Sequence, residues 1–275
     1  MKKYEVLPEV NFSDEGDVRY LHLGTDWVQG AMRLDAPYAI ELEYVQRMMA
    51  GLLFVDPATV ARRHAMQLGL GAAALTKFCR KILRMRTTTI ELNPQVVAAC
   101  RGWFKLPADD AKLRIIIADA AQEIRQPCWH GAVDVLQVDL YDHQAAAPVL
   151  DSLEFYADCR ALLSEEGVMT VNLFGRSSSY TRSLKKICAA FGASRGVGAG
   201  APAGKGEGAK NTKEAKAAGA VWAFRPTREG NTIVLAQRQA ARPSRALLAA
   251  RAQEIQSRWG LPAPKWLRVL KAVDP

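Results

Sequence analysis

Acids at the ends of apolar runs are the residues of this chain whose placement suits chemistry. Glu91 follows Thr87 to Ile90, Asp119 follows Leu113 to Ile117, and Asp139 follows Val133 to Val138. If those runs are parallel strands, their carboxyl ends line one crevice, where open α/β sheets bind ligands. Acids there are costly to desolvate unless a ligand or hydrogen bonds engage them. A glycine turn precedes the first acid, in His64-Ala65-Met66-Gln67-Leu68-Gly69-Leu70-Gly71-Ala72-Ala73-Ala74. Gly69 and Gly71 carry no side chain where the backbone must turn sharply and approach a ligand. The next helix points its N-terminus at that ligand. Glu91 lies roughly 20 residues beyond the glycines, the spacing of a nucleotide-binding βαβ unit. There it can accept both hydroxyl hydrogens of a ribose. Asp119 can accept from an adenine amino group or cap a helix starting at Ala120.

The elements that must position these residues follow from patterning. Residues 4–34 alternate between apolar and polar with short turns, which predicts a three-strand meander. A small sheet cannot bury both faces alone, so it must pack on something or pair with another subunit. Helical spacing covers 38–54 and stops at Asp56-Pro57. Strands are predicted at 64–68, 87–90, 113–117, 133–138 and 168–174, with helices at about 72–84, 94–104, 151–163 and 178–191. A turn at Glu165-Glu166-Gly167 leads into the strand at Val168. This alternation of near-continuous apolar strands with helices predicts a doubly wound, mostly parallel Rossmann-like α/β sheet. Val221 to Phe224 and Asn231 to Ala236 form a hairpin, bringing the sheet to seven strands. Residues 244–259 form a helix, followed by a basic tail whose tryptophans, Trp259 and Trp266, are expected to pack on the domain. The division is 1–36 meander, 37–240 Rossmann-like domain and 241–275 basic helix and tail. Residues 192–219, rich in Gly, Ala and Lys, read as a disordered insertion.

The 275 residues suffice for one α/β domain with a small addition. No apolar run reaches the 18 or so residues of a membrane span. Met1-Lys2-Lys3-Tyr4-Glu5 has no apolar core after its lysines, unlike a secretory signal. The five cysteines, Cys79, Cys100, Cys128, Cys159 and Cys188, form no Cys-x-x-Cys pair. They read as reduced thiols of a cytoplasmic protein, and no metal is expected. The net charge of +9 favours anionic partners or serves solubility. Nucleic acid is not the expected partner.

The order of motifs resembles the spermidine/spermine synthase family, the polyamine aminopropyltransferases, over roughly residues 20–236. Trp27-Val28-Gln29 sits in the early hairpin, and Leu68-Gly69-Leu70-Gly71 matches the family's glycine loop. Ile90-Glu91-Leu92-Asn93, Ala118-Asp119-Ala120, Asp139-Leu140-Tyr141-Asp142 and Glu154-Phe155-Tyr156 match four further family motifs. The resemblance implies a fold like that of methyltransferases using S-adenosylmethionine (AdoMet), often dimeric, here through the meander. It implies transfer of an aminopropyl group from decarboxylated AdoMet to a polyamine or other amine. Glu91 would hold the ribose, Asp119 the adenine, and Gln29 would close over the nucleoside. Asp139 would orient the amine and take its proton. Asp142, Tyr141 and Glu41 would face the cationic acceptor.

This sequence departs from the family pattern at two places. The family's glycine loop carries an aspartate that engages the donor's amine, and here that position is Ala72. The family's Tyr-His-Glu on the early helix aligns with Ala39-Ile40-Glu41, with Tyr38 and Tyr44 near. A conventional methyltransferase would place an acid at Gln67 to hold the methionine amine. Two alternatives therefore stand beside aminopropyl transfer: an AdoMet-dependent methyltransferase and a non-catalytic nucleoside-binding protein.

Overall fold

A computed structural model describes residues 7–140, 150–174, 177–192, 221–239 and 243–273. Strands β1 (Val10–Glu15), β2 (Val18–Leu23) and β3 (Val28–Arg33) form the antiparallel meander as a sheet of their own. The main sheet has eight strands: β4 (His64–Leu68), β5 (Arg86–Glu91), β6 (Leu113–Ile117), β7 (Val133–Val138), β8 (Leu163–Phe174), β9 (Val221–Phe224), β10 (Asn231–Gln237) and β11 (Leu270–Ala272). Their order is β11-β9-β10-β8-β7-β4-β5-β6. Strands β6, β5, β4, β7 and β8 run parallel, and β10, β9 and β11 add antiparallel pairs. From β4 the chain winds outward to β5 and β6, then returns to place β7 and β8 on the other side. The switch point therefore lies between β4 and β7, where such sheets open a ligand crevice.

The helices are α1 (Glu43–Met48), α2 (Ala74–Lys77), α3 (Pro94–Trp103), α4 (Ala120–Glu123), α5 (Leu153–Leu162), α6 (Ser177–Gly192), α7 (Arg245–Trp259) and α8 (Ala263–Val269). Asn93, Asp119, Ser152 and Ser244 cap α3, α4, α5 and α7 with side-chain oxygens on backbone N–H groups.

Several elements differ from their sequence-based expectation. The helix expected from residue 38 begins at Glu43 and tightens into a 3₁₀ stretch, Met49–Phe54. Gly51 lies in that stretch, and a Cβ there would stand 3.1 Å from a Val168 methyl on the sheet. The expected helix at 72–84 is one α turn, α2, continued by a π turn, Phe78–Ile82. Strand β8 starts at Leu163, but its register on β7 jumps from Val133–Leu163 to Val135–Val168, so the chain bulges out at the expected turn, Glu165-Glu166-Gly167, before the strand runs on from Val168. A Cβ on Gly167 would lie 2.8 Å from the Val133 carbonyl, so only glycine lets the two backbones approach there. The seven expected strands are present, and the tail adds β11 beside β9, too short a strand to leave a period in the sequence. Trp266 is buried and Trp259 packs on the same cluster, as expected of the tail. The insertion expected at 192–219 lies outside the described residues, apart from Gly192 at the end of α6.

The core has three parts. One lies under α1, α7 and α8 and another under α4, α5 and α6, on the main sheet. The third joins Leu21 and Met32 of the meander to Leu70, Ala72 and Ala73 of the glycine turn and to Val96, Cys100 and Phe104 near α3. The meander thus buries one face on the segment that forms the crevice.

Candidate active site

Asp139 is the first residue beyond β7. Its N–H donates to the Leu68 carbonyl at 3.0 Å, which sets the residue between the tips of β4 and β7, at the switch point. Gly69 lies against it. With φ at +91°, a Cβ on Gly69 would stand 2.3 Å from the Asp139 carbonyl oxygen. The glycine is therefore required both for its backbone angle and for the contact. The Asp139 carboxylate is partly buried, and Oδ1 accepts from Asn172 Nδ2 at 2.9 Å. The Tyr44 hydroxyl donates a second hydrogen bond to it. Asn172 Oδ1 accepts in turn from Asn231 Nδ2 at 3.1 Å. Burial pushes the Asp139 carboxyl above its ordinary range, and the bonds from Asn172 and Tyr44 oppose that rise. The arrangement can hold a carboxylate that is both oriented and more basic than a free one.

Glu91 ends β5 and ties it to the glycine turn. Its Oε2 accepts from the Leu70 N–H at 2.9 Å and its Oε1 from the Asn93 N–H at 2.8 Å. Burial pushes its carboxyl up, against the backbone N–H groups of Asn93, Leu70 and Leu92. Each oxygen keeps lone-pair capacity for a further donor. Exposed apolar side chains flank it: Leu92 and Ile117 are each 55% accessible, and Ile117 pairs with Glu91 across the strands. Asp119 is exposed and caps α4, with Oδ1 on the Ala121 N–H at 2.8 Å and Oδ2 on Gln122 Nε2 at 3.2 Å. The capping alternative is thus present in the structure.

The meander closes on the glycine turn from above. The Gln29 carbonyl lies 3.0 Å from where a Gly71 Cβ would be, and a Cβ on Gly30 would lie 2.7 Å from the Ala72 Cβ. Ala72 is 2% accessible, so it fills the space beneath β3, and an aspartate there would have to displace that strand. Gln67 does not face the crevice. It is buried within the sheet, where its Nε2 donates to Gln137 Oε1 at 2.7 Å and its Oε1 accepts from Thr89 Oγ1 at 2.9 Å.

The structure brings Gly69, Gly71, Glu91, Asp119, Asp139 and the Gln29 backbone to one edge of the sheet. Glu41 is exposed, near Arg33, and makes no described contact with Asp139. Tyr44, three residues on, reaches Asp139 instead. Tyr141 and Asp142 lie outside the described residues. In the Glu154-Phe155-Tyr156 motif, Tyr156 is buried and its hydroxyl donates to Asp151 Oδ1 at 2.9 Å, which is a packing role. Asn172 and Asn231 escaped sequence reasoning. The signal for Asn172 was an amide inside the apolar run of β8, one position past the Val138–Val171 pair and so level with Asp139.

The chain is 36% identical over 186 residues to the polyamine aminopropyltransferase of Neisseria meningitidis serogroup A, covering 67% of this chain and 69% of that relative. This chain belongs to the polyamine aminopropyltransferase family. A second aminopropyltransferase, from Chromobacterium violaceum, is 29% identical over 272 residues, which is 98% of this chain and 92% of the relative. No family model matches the sequence. Among solved structures, a probable spermidine synthase from Corynebacterium glutamicum superposes with a TM-score of 0.68 at 19% identity, covering 92% of this chain and 85% of that one. Human methyltransferase-like protein 13, solved with SAH, gives a TM-score of 0.62 at 19% identity, covering 85% and 96%. Both share the fold of this aminopropyltransferase-family enzyme, a transferase on a methyltransferase-like scaffold.

Proposed function

We propose that this enzyme transfers the aminopropyl group of decarboxylated AdoMet to an amine, with Asp139 as the general base. The observation that carries this reading is the Asp139 carboxylate at the switch point, beside Gly69 and fixed by Tyr44 and Asn172. The donor supplies a sulfonium that makes its adjacent carbon electrophilic. Asp139 orients the acceptor amine towards that carbon and takes its proton as the nitrogen–carbon bond forms and the carbon–sulfur bond breaks. Its raised carboxyl pKa makes it a better base once ionised. Tyr44 and Asn172 hold its geometry. Glu91 accepts the ribose hydroxyls with its remaining lone pairs, Asp119 accepts from the adenine amino group, and Leu92 and Ile117 flank the ring. Gln29 closes over the nucleoside. The acceptor is a polyamine or other amine, drawn by the acids of this edge and by Tyr141 and Asp142, the residues that the family motif places there.

Methyl transfer is the second reading, and the burial of Gln67 speaks against it. The residue that would hold the methionine amine is closed inside a satisfied polar network. The test is calorimetric titration with methylthioadenosine, AdoMet and decarboxylated AdoMet in parallel, followed by mass spectrometry of products from putrescine, spermidine and other diamines. An aminopropylated amine is the expected product. Tight nucleoside binding with no product from any amine would overturn the reading.

A further inference from the structure

A second cleft opens at the opposite end of the same strands. It has a volume of about 360 Å³, the lower part of the range of small-molecule sites. His64 and Arg86 begin β4 and β5 and lie beside one another in register, and Lys112 immediately precedes β6. Thr88 and Arg114 pair one row further in. Residues two apart on a strand share a face, so Arg86, Thr88 and Arg114 point to the same side of the sheet. Trp129 closes that side. Its ring centroid lies 6.2 Å from that of His64, and its Nε1 donates to Glu123 Oε1 at 3.0 Å, which fixes the indole.

The charges of this cleft are unbalanced. Asp109 and Asp110 also line it, but both are spent. Asp110 pairs with Arg80 at 2.6 Å and accepts from the N–H groups of Lys112 and Leu113. Asp109 pairs with Arg101 at 2.8 Å and accepts from the Ile115 N–H. Neither Arg80 nor Arg101 lines the cleft. Arg86, Lys112 and Arg114 are exposed and form no ion pair with a described residue. Two guanidinium groups and an ammonium on side chains that line one cleft are donors suited to phosphate oxygens, and an indole lining the same cleft suits a planar ring. His64 is buried, with Nε2 on Thr88 Oγ1 and Nδ1 on the Ala132 carbonyl, so it shapes the floor of the cleft.

We propose that this cleft binds a small organic phosphate carrying a planar ring, a mononucleotide in chemical class. Its phosphate sits among Arg86, Lys112 and Arg114, and its ring lies against Trp129. The site is separate from the glycine-turn crevice, which lies at the other ends of β4 and β5.

With methylthioadenosine saturating the glycine-turn crevice, the test is titration of the full chain with AMP, and with ribose 5-phosphate, adenosine and inorganic phosphate as comparison ligands, at low ionic strength. AMP is expected to bind at least tenfold more tightly than any of the three. Arg86→Gln with Arg114→Gln is expected to weaken AMP at least tenfold while leaving the melting temperature within a few degrees, because both side chains are exposed. Trp129→Leu is expected to weaken AMP without changing ribose 5-phosphate. Lys112→Gln gives an independent check on a side chain outside the strands. Unchanged AMP affinity in the double variant would overturn the proposal, as would full displacement of AMP by methylthioadenosine. Inorganic phosphate binding as tightly as AMP would overturn the ring-bearing ligand.

Discussion

At the scale of single residues, Asp139 carries two opposed demands. Its folded carboxyl pKa lies above the ordinary value of 3.8, because burial outweighs the hydrogen bonds. Such a group stabilises the fold while protonated. That contribution is complete below the unfolded pKa and is lost as pH rises through the folded one. At neutral pH the charge therefore costs stability, and in the proposed reaction it is the charge that acts as the base. Asp139→Asn is expected to lower turnover by about 10²–10⁴, the range for a lost acid–base group, with nucleoside affinity changed much less. Its melting temperature at pH 8 should equal or exceed that of the wild type, and the difference should shrink as pH falls through the carboxyl's titration. Near-normal turnover in this variant would remove the catalytic role. Tyr44→Phe takes away one of the bonds that lower the Asp139 pKa. The acid limb of kcat/KM is then expected to move to higher pH, with activity at pH 7 down by about tenfold, the worth of one hydrogen bond to a charged group. An unmoved pH profile would show that Tyr44 only packs.

At the scale of elements, the crevice depends on how closely three backbones approach. Gly69 touches Asp139, and Gly30 of β3 rests on Ala72. Gly69→Ala forces a side chain at φ of +91° into a carbonyl, and a loss of about 1–3 kcal/mol or more is expected. Denaturant unfolding measures it. A fully stable, fully active variant would show that the tips of β4 and β7 can part freely. The short helix α2 is anchored from beneath by Lys77, 1% accessible, whose Nζ donates to the Phe104 carbonyl at 2.7 Å. Burial pushes its pKa down to about 8 from 10.5. The unfolded chain thus binds more protons between those values, so stability gains with rising pH there. The wild type should gain on Lys77→Met between pH 8 and 10.5 in parallel melts. Parallel curves would show that the lysine is not held in this way.

At the scale of the whole molecule, the crevice lies where the core of the meander meets the ends of the main-sheet strands. The glycine turn belongs to the core that includes the meander, while Glu91 and Asp139 end strands of the main sheet. A ligand that binds only this assembled edge stabilises the folded state by about 2.7 kcal/mol at a hundred times its Kd. Methylthioadenosine is therefore expected to raise the melting temperature by several degrees. Glu91→Gln should blunt that shift by weakening the nucleoside about 1–3 kcal/mol, the scale of a hydrogen bond to a charged group. An equal shift in the folded variant would separate Glu91 from the ribose.

The sequence by itself determined the strand–helix alternation, the glycine turn and the acids that end β5, β7 and the run before α4. Those features are local. A parallel strand buried on both faces must be apolar throughout, and an acid at its end interrupts that run visibly. Only the tertiary structure decided which polar residues meet Asp139. Tyr44, Asn172 and Asn231 come from three distant segments, and no spacing in the chain relates them. The same holds for Ala72 beneath Gly30, where a missing side chain in β3 sets what the glycine turn can carry. It holds again for the basic cleft, since Arg86, Lys112 and Arg114 become neighbours only when β5 and β6 pair in register.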